Sequence, residues 1–217
     1  MAVPASLITI PLSHYCEKAR WALDRVAFPY REEPHAPLFH RLATKRRDGG
    51  TVPVMVAATS RFVDSTEILA HADVISGGGL LYPCDEVLRR EVDVLEERFD
   101  TELGPHTRRW AHERSLERVR SVFRQVDQQL SDGRKFLTGD RFTAADLTFA
   151  ALAAPVLLPV ECRAVQPTLE TVPAAMREEI LRFRNTDAGR FALRLFSQER
   201  GRTRNRQASG DSQSPVQ

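Results

Sequence analysis

The chain has 217 residues, 42% hydrophobic and 28% charged, a globular composition that excludes wholesale disorder. Its 31 Lys and Arg against 29 Asp and Glu leave a formal net charge of +2, too little for a dedicated nucleic-acid footprint. Three widely spaced cysteines exclude a disulfide framework and fit a reducing, cytoplasmic setting. No apolar run approaches the ~20 residues of a membrane span, and MAVPASLITIPL lacks the basic lead and cleavage site of a signal peptide. Neither a membrane nor a nucleic-acid partner is expected.

The first 80 residues mix strands and helices. Residues 6–10, rich in β-branched side chains and closed by Pro11, read as a strand. From 13 to 26 the apolar residues Cys16, Ala19, Ala22, Leu23 and Val26 recur at helical steps. Pro29 opens a short extended piece, 30–33, and residues 34–50 read as a loop with a short helix around the basic cluster Lys45-Arg46-Arg47. Residues 52–56 form a strand with Pro53 near its start, where a missing N–H is tolerable; 61–64 would be its hairpin partner, and 66–75 a helix capped by Ser65. Gly77-Gly78-Gly79 to Pro83 is the best linker.

Beyond it only helices are expected. Leu88, Val92, Leu95, Phe99 and Leu103 mark one that stops at Gly104-Pro105, and Leu116 to Leu130 a second. Residues 143–158 are apolar nearly all round, the pattern of a buried central helix. Two shorter helices follow at 176–183 and 190–196, and a polar tail, 201–217, reads as disordered. The division is 1–80, an α/β domain of βαβ–ββα order, and 81–200, an all-α domain.

Four constellations carry chemistry. Ser13-His14-Tyr15-Cys16 stands at a strand-to-helix turn, where free N–H groups and the helix dipole favour an anion such as a thiolate; equally, Ser13 would merely cap the helix and Cys16 be a small buried hydrophobe. Val52-Pro53 offers a cis step that would present backbone to an extended ligand, or an ordinary trans proline at a strand edge. Asp64-Ser65 supplies an acceptor for an ammonium and a donor for a carboxylate, or simple capping. Thr143-Ala144-Ala145-Asp146 is a capping box with a structural role. The six histidines show no ligand spacing, so no metal site is expected.

In this order the four pieces resemble the cytosolic glutathione S-transferase family over about residues 6–198. The resemblance implies a glutathione transferase fold: a thioredoxin-like α/β N-terminal domain plus an all-α C-terminal domain. It implies that Ser13 hydrogen-bonds the glutathione thiolate, that Val52 with a cis Pro53 pairs with the cysteinyl backbone, and that Asp64 and Ser65 hold the γ-glutamyl end. Arg41 or Lys45 would meet the glycyl carboxylate, and Tyr15, Arg109 and Trp110 would line the electrophile pocket, with Cys16 as a redox candidate. The chain departs from the family in having His14 where Pro is common and Asp64 where Glu or Gln is usual, and no Tyr occupies the catalytic slot. The implied reaction conjugates glutathione, a co-substrate with no further cofactor, to an electrophilic small molecule. A cytoplasmic homodimer is expected from the absent export signal, the free cysteines and the helix starting near Asp85, whose apolar and Arg-rich sides suit an isologous contact. The same residues would suit a non-catalytic binding or protein-interaction module, or a glutathione-dependent isomerase or dehalogenase.

Overall fold

The computed structural model describes residues 5–36, 44, 51–110 and 113–200. The chain opens with β1 (Ala5–Thr9), α1 (His14–Arg25), β2 (Tyr30–Pro34), β3 (Val54–Val56), β4 (Arg61–Phe62) and α2 (Ser65–Ile75). The strands form one sheet in the order β2-β1-β3-β4. β1 runs parallel to β2, with Ala5 opposite Tyr30, and antiparallel to β3, with Ile8 opposite Val54; β3 pairs antiparallel with β4, Met55 opposite Phe62. A parallel pair needs a crossover, and α1 supplies it. Leu7, Ile8, Val54 and Met55 are wholly buried.

After α2 every described element is helical: α3 (Glu86–Arg98), a π-helical turn (Phe99–Leu103), α4 (Gly104–Thr107), α5 (Glu113–Leu130), α6 (Ala144–Leu157), α7 (Ala174–Arg184), α8 (Asp187–Leu195) and a second π-helical turn (Phe196–Arg200). The arrangement is the expected thioredoxin-like unit followed by an all-helical one. The apolar interior is continuous across both, running from Leu7 and Leu23 to Phe149 and Leu195.

Two boundaries differ from the sequence reading. The helix expected to stop at Gly104-Pro105 continues: the Gly104 amide reaches back five residues to the Phe99 carbonyl, and α4 starts there with Pro105 in its first turn, where its missing N–H costs nothing. The cap of α2 is Asp64, not Ser65: Asp64 has extended backbone and its carboxylate accepts the Thr66 amide at 2.7 Å.

The junction between the two halves is clamped. The Asp73 carboxylate accepts the amides of Gly79 (3.1 Å), Leu81 (2.6 Å) and Tyr82 (3.3 Å), and the Leu81 carbonyl accepts the Ala144 amide at 2.8 Å. The start of α6 is built on the expected capping box. Asp146 accepts the Thr143 amide (2.7 Å) and hydroxyl (3.0 Å), and its other oxygen accepts the Leu137 amide (2.8 Å). At the far end the chain returns to α1. Phe196 lies 4.8 Å from the Trp21 ring, and Arg200 donates to Glu17 (2.9 Å) and Asp24 (2.7 Å).

Candidate functional site

The sheet register gathers three of the sequence motifs at one edge. One step past the last paired residues of β1 and β3, Thr9 is level with Pro53, and two steps past those of β3 and β4, Pro53 is level with Asp64. The turn after β1, the residues before β3 and the start of α2 therefore share one end of the sheet.

Ser13 caps α1. Its Oγ accepts the Cys16 amide at 3.3 Å, and its hydroxyl donates to the Cys16 sulfur. A half-buried hydroxyl at a helix N-terminus, already placed to donate to a sulfur, is a suitable donor for an anion that settles there. Cys16 itself is wholly buried, and burial pushes its thiol above the usual range. The Val52–Pro53 peptide bond is cis. The Val52 backbone N–H and C=O bond no described residue. Ser65 is buried, and Asp64 is exposed, with one carboxylate oxygen committed to the Thr66 amide.

The first turn of α1 is docked onto α4. His14 is buried, and Nε2 lies 2.9 Å from the Gly104 carbonyl. Burial outweighs that bond and lowers the His14 pKa to about 4, so the ring is neutral at neutral pH and Nε2 carries the proton it donates. The Tyr15 hydroxyl donates to the Asp100 carbonyl at 2.9 Å, and burial raises its pKa. A Cβ on Gly104 would meet that hydroxyl oxygen at 2.1 Å. Gly104 is thus the condition for the close approach of α4 to Tyr15. Trp110 is buried in the apolar core, and Arg109 is exposed with Nε turned back to the Pro105 carbonyl at 3.5 Å. Arg41 and Lys45 lie outside the described residues.

Residues 7–78 match the family described as Glutathione S-transferase, N-terminal domain, and residues 111–159 match Glutathione S-transferase, C-terminal domain. The chain belongs to the glutathione S-transferase family. Solved structures with this fold include a possible glutathione S-transferase from Rhodopseudomonas palustris, at 19% identity over 90% of this chain and 94% of that one, with a TM-score of 0.68. Glutathione transferase Omega 1C from Trametes versicolor shares 14% identity over 92% and 90% of the two chains, with a TM-score of 0.70. Ure2p in complex with glutathione shares 16% over 89% and 94%, with a TM-score of 0.62. None of the curated proteins matches the chain.

For this glutathione S-transferase family member, sequence reasoning missed a buried polar hub behind the site. Lys18 Nζ contacts Asp100 Oδ2 (2.6 Å), Glu96 Oε1 (2.9 Å) and Thr66 Oγ1 (3.0 Å). The Thr66 hydroxyl lies 3.0 Å from both carboxylates and gives its single proton to one of them; Tyr82 donates to Glu96 Oε2 at 2.7 Å. Burial alone would lower the Lys18 pKa, but the two carboxylates outweigh it and raise the value, keeping the ammonium charged. Burial raises Asp100 against the pull of Lys18. Thr66 belongs to the α2 turn and Asp100 to the turn that receives Tyr15. The hub therefore fixes the start of α2 relative to the start of α1.

Proposed function

We propose that the chain is a glutathione transferase that joins the sulfur of glutathione to an electrophilic small molecule. The observation that carries this reading is the Ser13 hydroxyl: it accepts at the cap, is placed to donate to a sulfur, and stands half-buried at the positive end of a twelve-residue helix. A free thiol has a pKa near ~8.5, so few thiolates exist at neutral pH. A hydrogen bond from Ser13 to the charged form lowers that value. The thiol proton goes to solvent, the thiolate forms a bond to the electrophilic carbon, and the leaving group departs with its electron pair. The Val52 backbone beside cis Pro53, which bonds none of the described residues, suits an extended cysteinyl unit, and Asp64 with Ser65 at the start of α2 suits the γ-glutamyl head. Arg41 or Lys45 would meet the glycyl carboxylate. Tyr15, with Trp110 and Arg109 beyond it, belongs to the electrophile side. The unit is read as a cytoplasmic homodimer. The exposed Val74 and Ile75 on α2 and Val87 and Val94 on α3 supply an apolar surface for an isologous contact.

The reading is tested with chlorodinitrobenzene as the electrophile. Ser13→Ala is expected to cut turnover by roughly ten- to a hundredfold, the worth of one hydrogen bond to a charged partner, with little change in glutathione affinity. Asp64→Ala is expected to raise the glutathione KM with a smaller loss of kcat. Cys16→Ser retains turnover. Loss of activity in Cys16→Ser with Ser13→Ala intact would overturn the serine mechanism. Glutathione binding without turnover of any electrophile would favour a binding module.

A further inference from the structure

α4 meets α1 through the face that carries Gly104, since a Cβ there would point into the Tyr15 hydroxyl. Residues four apart share a helix face, so the face of Gly104 is also that of Arg108, which ends α4. Arg109 is rotated off that face and folds back on Pro105. Arg108 is exposed, and no described residue accepts a hydrogen bond or forms an ion pair with its guanidinium. Its charge is felt by both His14 and Tyr15: it adds to the fall of the one and opposes the larger, burial-driven rise of the other. Those two residues directly follow Ser13. The neighbouring carboxylate on the α1 side, Asp100, is already held by Lys18. A cation that no described residue pairs therefore stands on the α4 face toward the first turn of α1, close enough to act on His14 and Tyr15.

We propose that Arg108 anchors the electrophile by an acidic group, so that this enzyme selects carboxylate-bearing electrophiles. The inference rests on the transferase reading, and it names the residue that chooses the substrate. A guanidinium takes a carboxylate through two parallel N–H donors, which fixes orientation as well as charge. A carboxylate held there would set the reacting carbon toward the start of α1, where Ser13 holds the thiolate. The step is nucleophilic substitution: the carbon–sulfur bond forms, the carbon–chlorine bond of the probe breaks, chloride leaves with the electron pair, and the thiol proton has gone to solvent.

The test compares a chlorodinitrobenzoate with its chlorodinitrobenzamide, which keeps the ring, the leaving group and the shape but removes the charge. With the native chain, kcat/KM is expected to favour the benzoate, and added salt to shrink that preference. Arg108→Gln is expected to lower kcat/KM for the benzoate by roughly tenfold, the worth of a charge-assisted hydrogen bond at an exposed site, and to leave the benzamide within about twofold. Arg108→Lys, which keeps the charge and loses the fork, recovers part of the difference. Equal losses on both probes, or no loss on either, overturn the proposal. Calorimetric binding of unreactive dinitrobenzoate and dinitrobenzamide separates the two readings. If the native chain conjugates neither chlorinated probe yet binds dinitrobenzoate in an Arg108-dependent way, the transferase reading fails and the anchor stands. If both are conjugated and the Arg108→Gln variant binds both acids and amides unchanged, the transferase reading stands and the anchor fails.

Discussion

Tyr15 and Gly104 constrain each other. The Tyr15 hydroxyl is tied to the Asp100 carbonyl, and a methyl group on Gly104 would lie 2.1 Å from its oxygen and 2.6 Å from Cζ. Gly104→Ala must push the ring out or part α4 from α1, and overpacking of this kind costs about 1–3 kcal/mol. The sign reverses when the obstacle is gone: in a Tyr15→Ala background Gly104→Ala should be neutral or favourable, because Ala is the better helix former by about 1 kcal/mol. Denaturant midpoints of the four proteins check this. Equal shifts in both backgrounds would mean that Gly104 is required by something other than Tyr15. Neighbouring residues illustrate how helix phase sorts functions that sequence alone leaves together. Arg108 and Arg109 are adjacent, yet one lies on the face toward α1 and the other turns back on its own helix.

At the scale of elements, local signals carried most of the reading. The box that starts α6 joins residues three apart, and the helix it opens is apolar on every side, so both were visible without tertiary knowledge. The order of strands and helices followed from periodicity and from Pro11, Pro29 and Pro53. The start of α2 was placed one residue late because Asp and Ser are both good caps and only the backbone conformation at Asp64 decides between them. The end of α3 was misplaced because Gly-Pro reads as a stop, whereas a π-helical turn lets the chain restart with Pro105 in a permitted position. Two helix starts also titrate in opposite senses. His14 falls to about 4 in the fold from its ordinary 6.5, so its contribution is present above 6.5 and lost as pH drops toward 4. Asp146 rises to about 6 from 3.8 because burial outweighs its hydrogen bonds, so its contribution is full below 3.8 and lost as pH climbs to about 6. Between about 4 and 6 the two slopes, each about 1.4 kcal/mol per pH unit, oppose each other. Asp146→Asn should therefore leave a protein whose stability rises with pH across that window more steeply than the parent's, and His14→Gln one whose stability falls relative to it. Urea unfolding at a series of pH values reads both, and parallel curves for parent and variants would show that neither group titrates as described.

For the whole molecule, the decisive residue is one that sequence reading passed over. A lysine on a helix is ordinarily solvated, and nothing near Lys18 marks it otherwise, because Asp100 lies 82 residues away along the chain. In the fold Lys18 is completely buried between the α/β unit and the helices, the cation that faces Glu96 and Asp100. The opposite side of α1 is tied as well, by Arg200 to Glu17 and Asp24 and by Arg20 to Glu32. Charge thus crosses the junction on both flanks of a continuous apolar core, and the two units should unfold together. Lys18→Met keeps most of the volume but leaves two buried carboxylates without their cation. Removing one partner of a buried ion pair costs about 3–5 kcal/mol, more than the pair itself contributes. The loss should shrink in acid, where Asp100, already raised by burial, takes up a proton. It should also shrink when the charges are removed with it: Lys18→Met combined with Glu96→Gln and Asp100→Asn is expected to recover most of the stability. Trp21 on α1 and Trp110 beyond α4 report from the two units, and single-tryptophan versions should show one coincident urea transition. An unchanged midpoint in Lys18→Met would mean that the carboxylates find compensation elsewhere, and that the apolar core alone joins the two units.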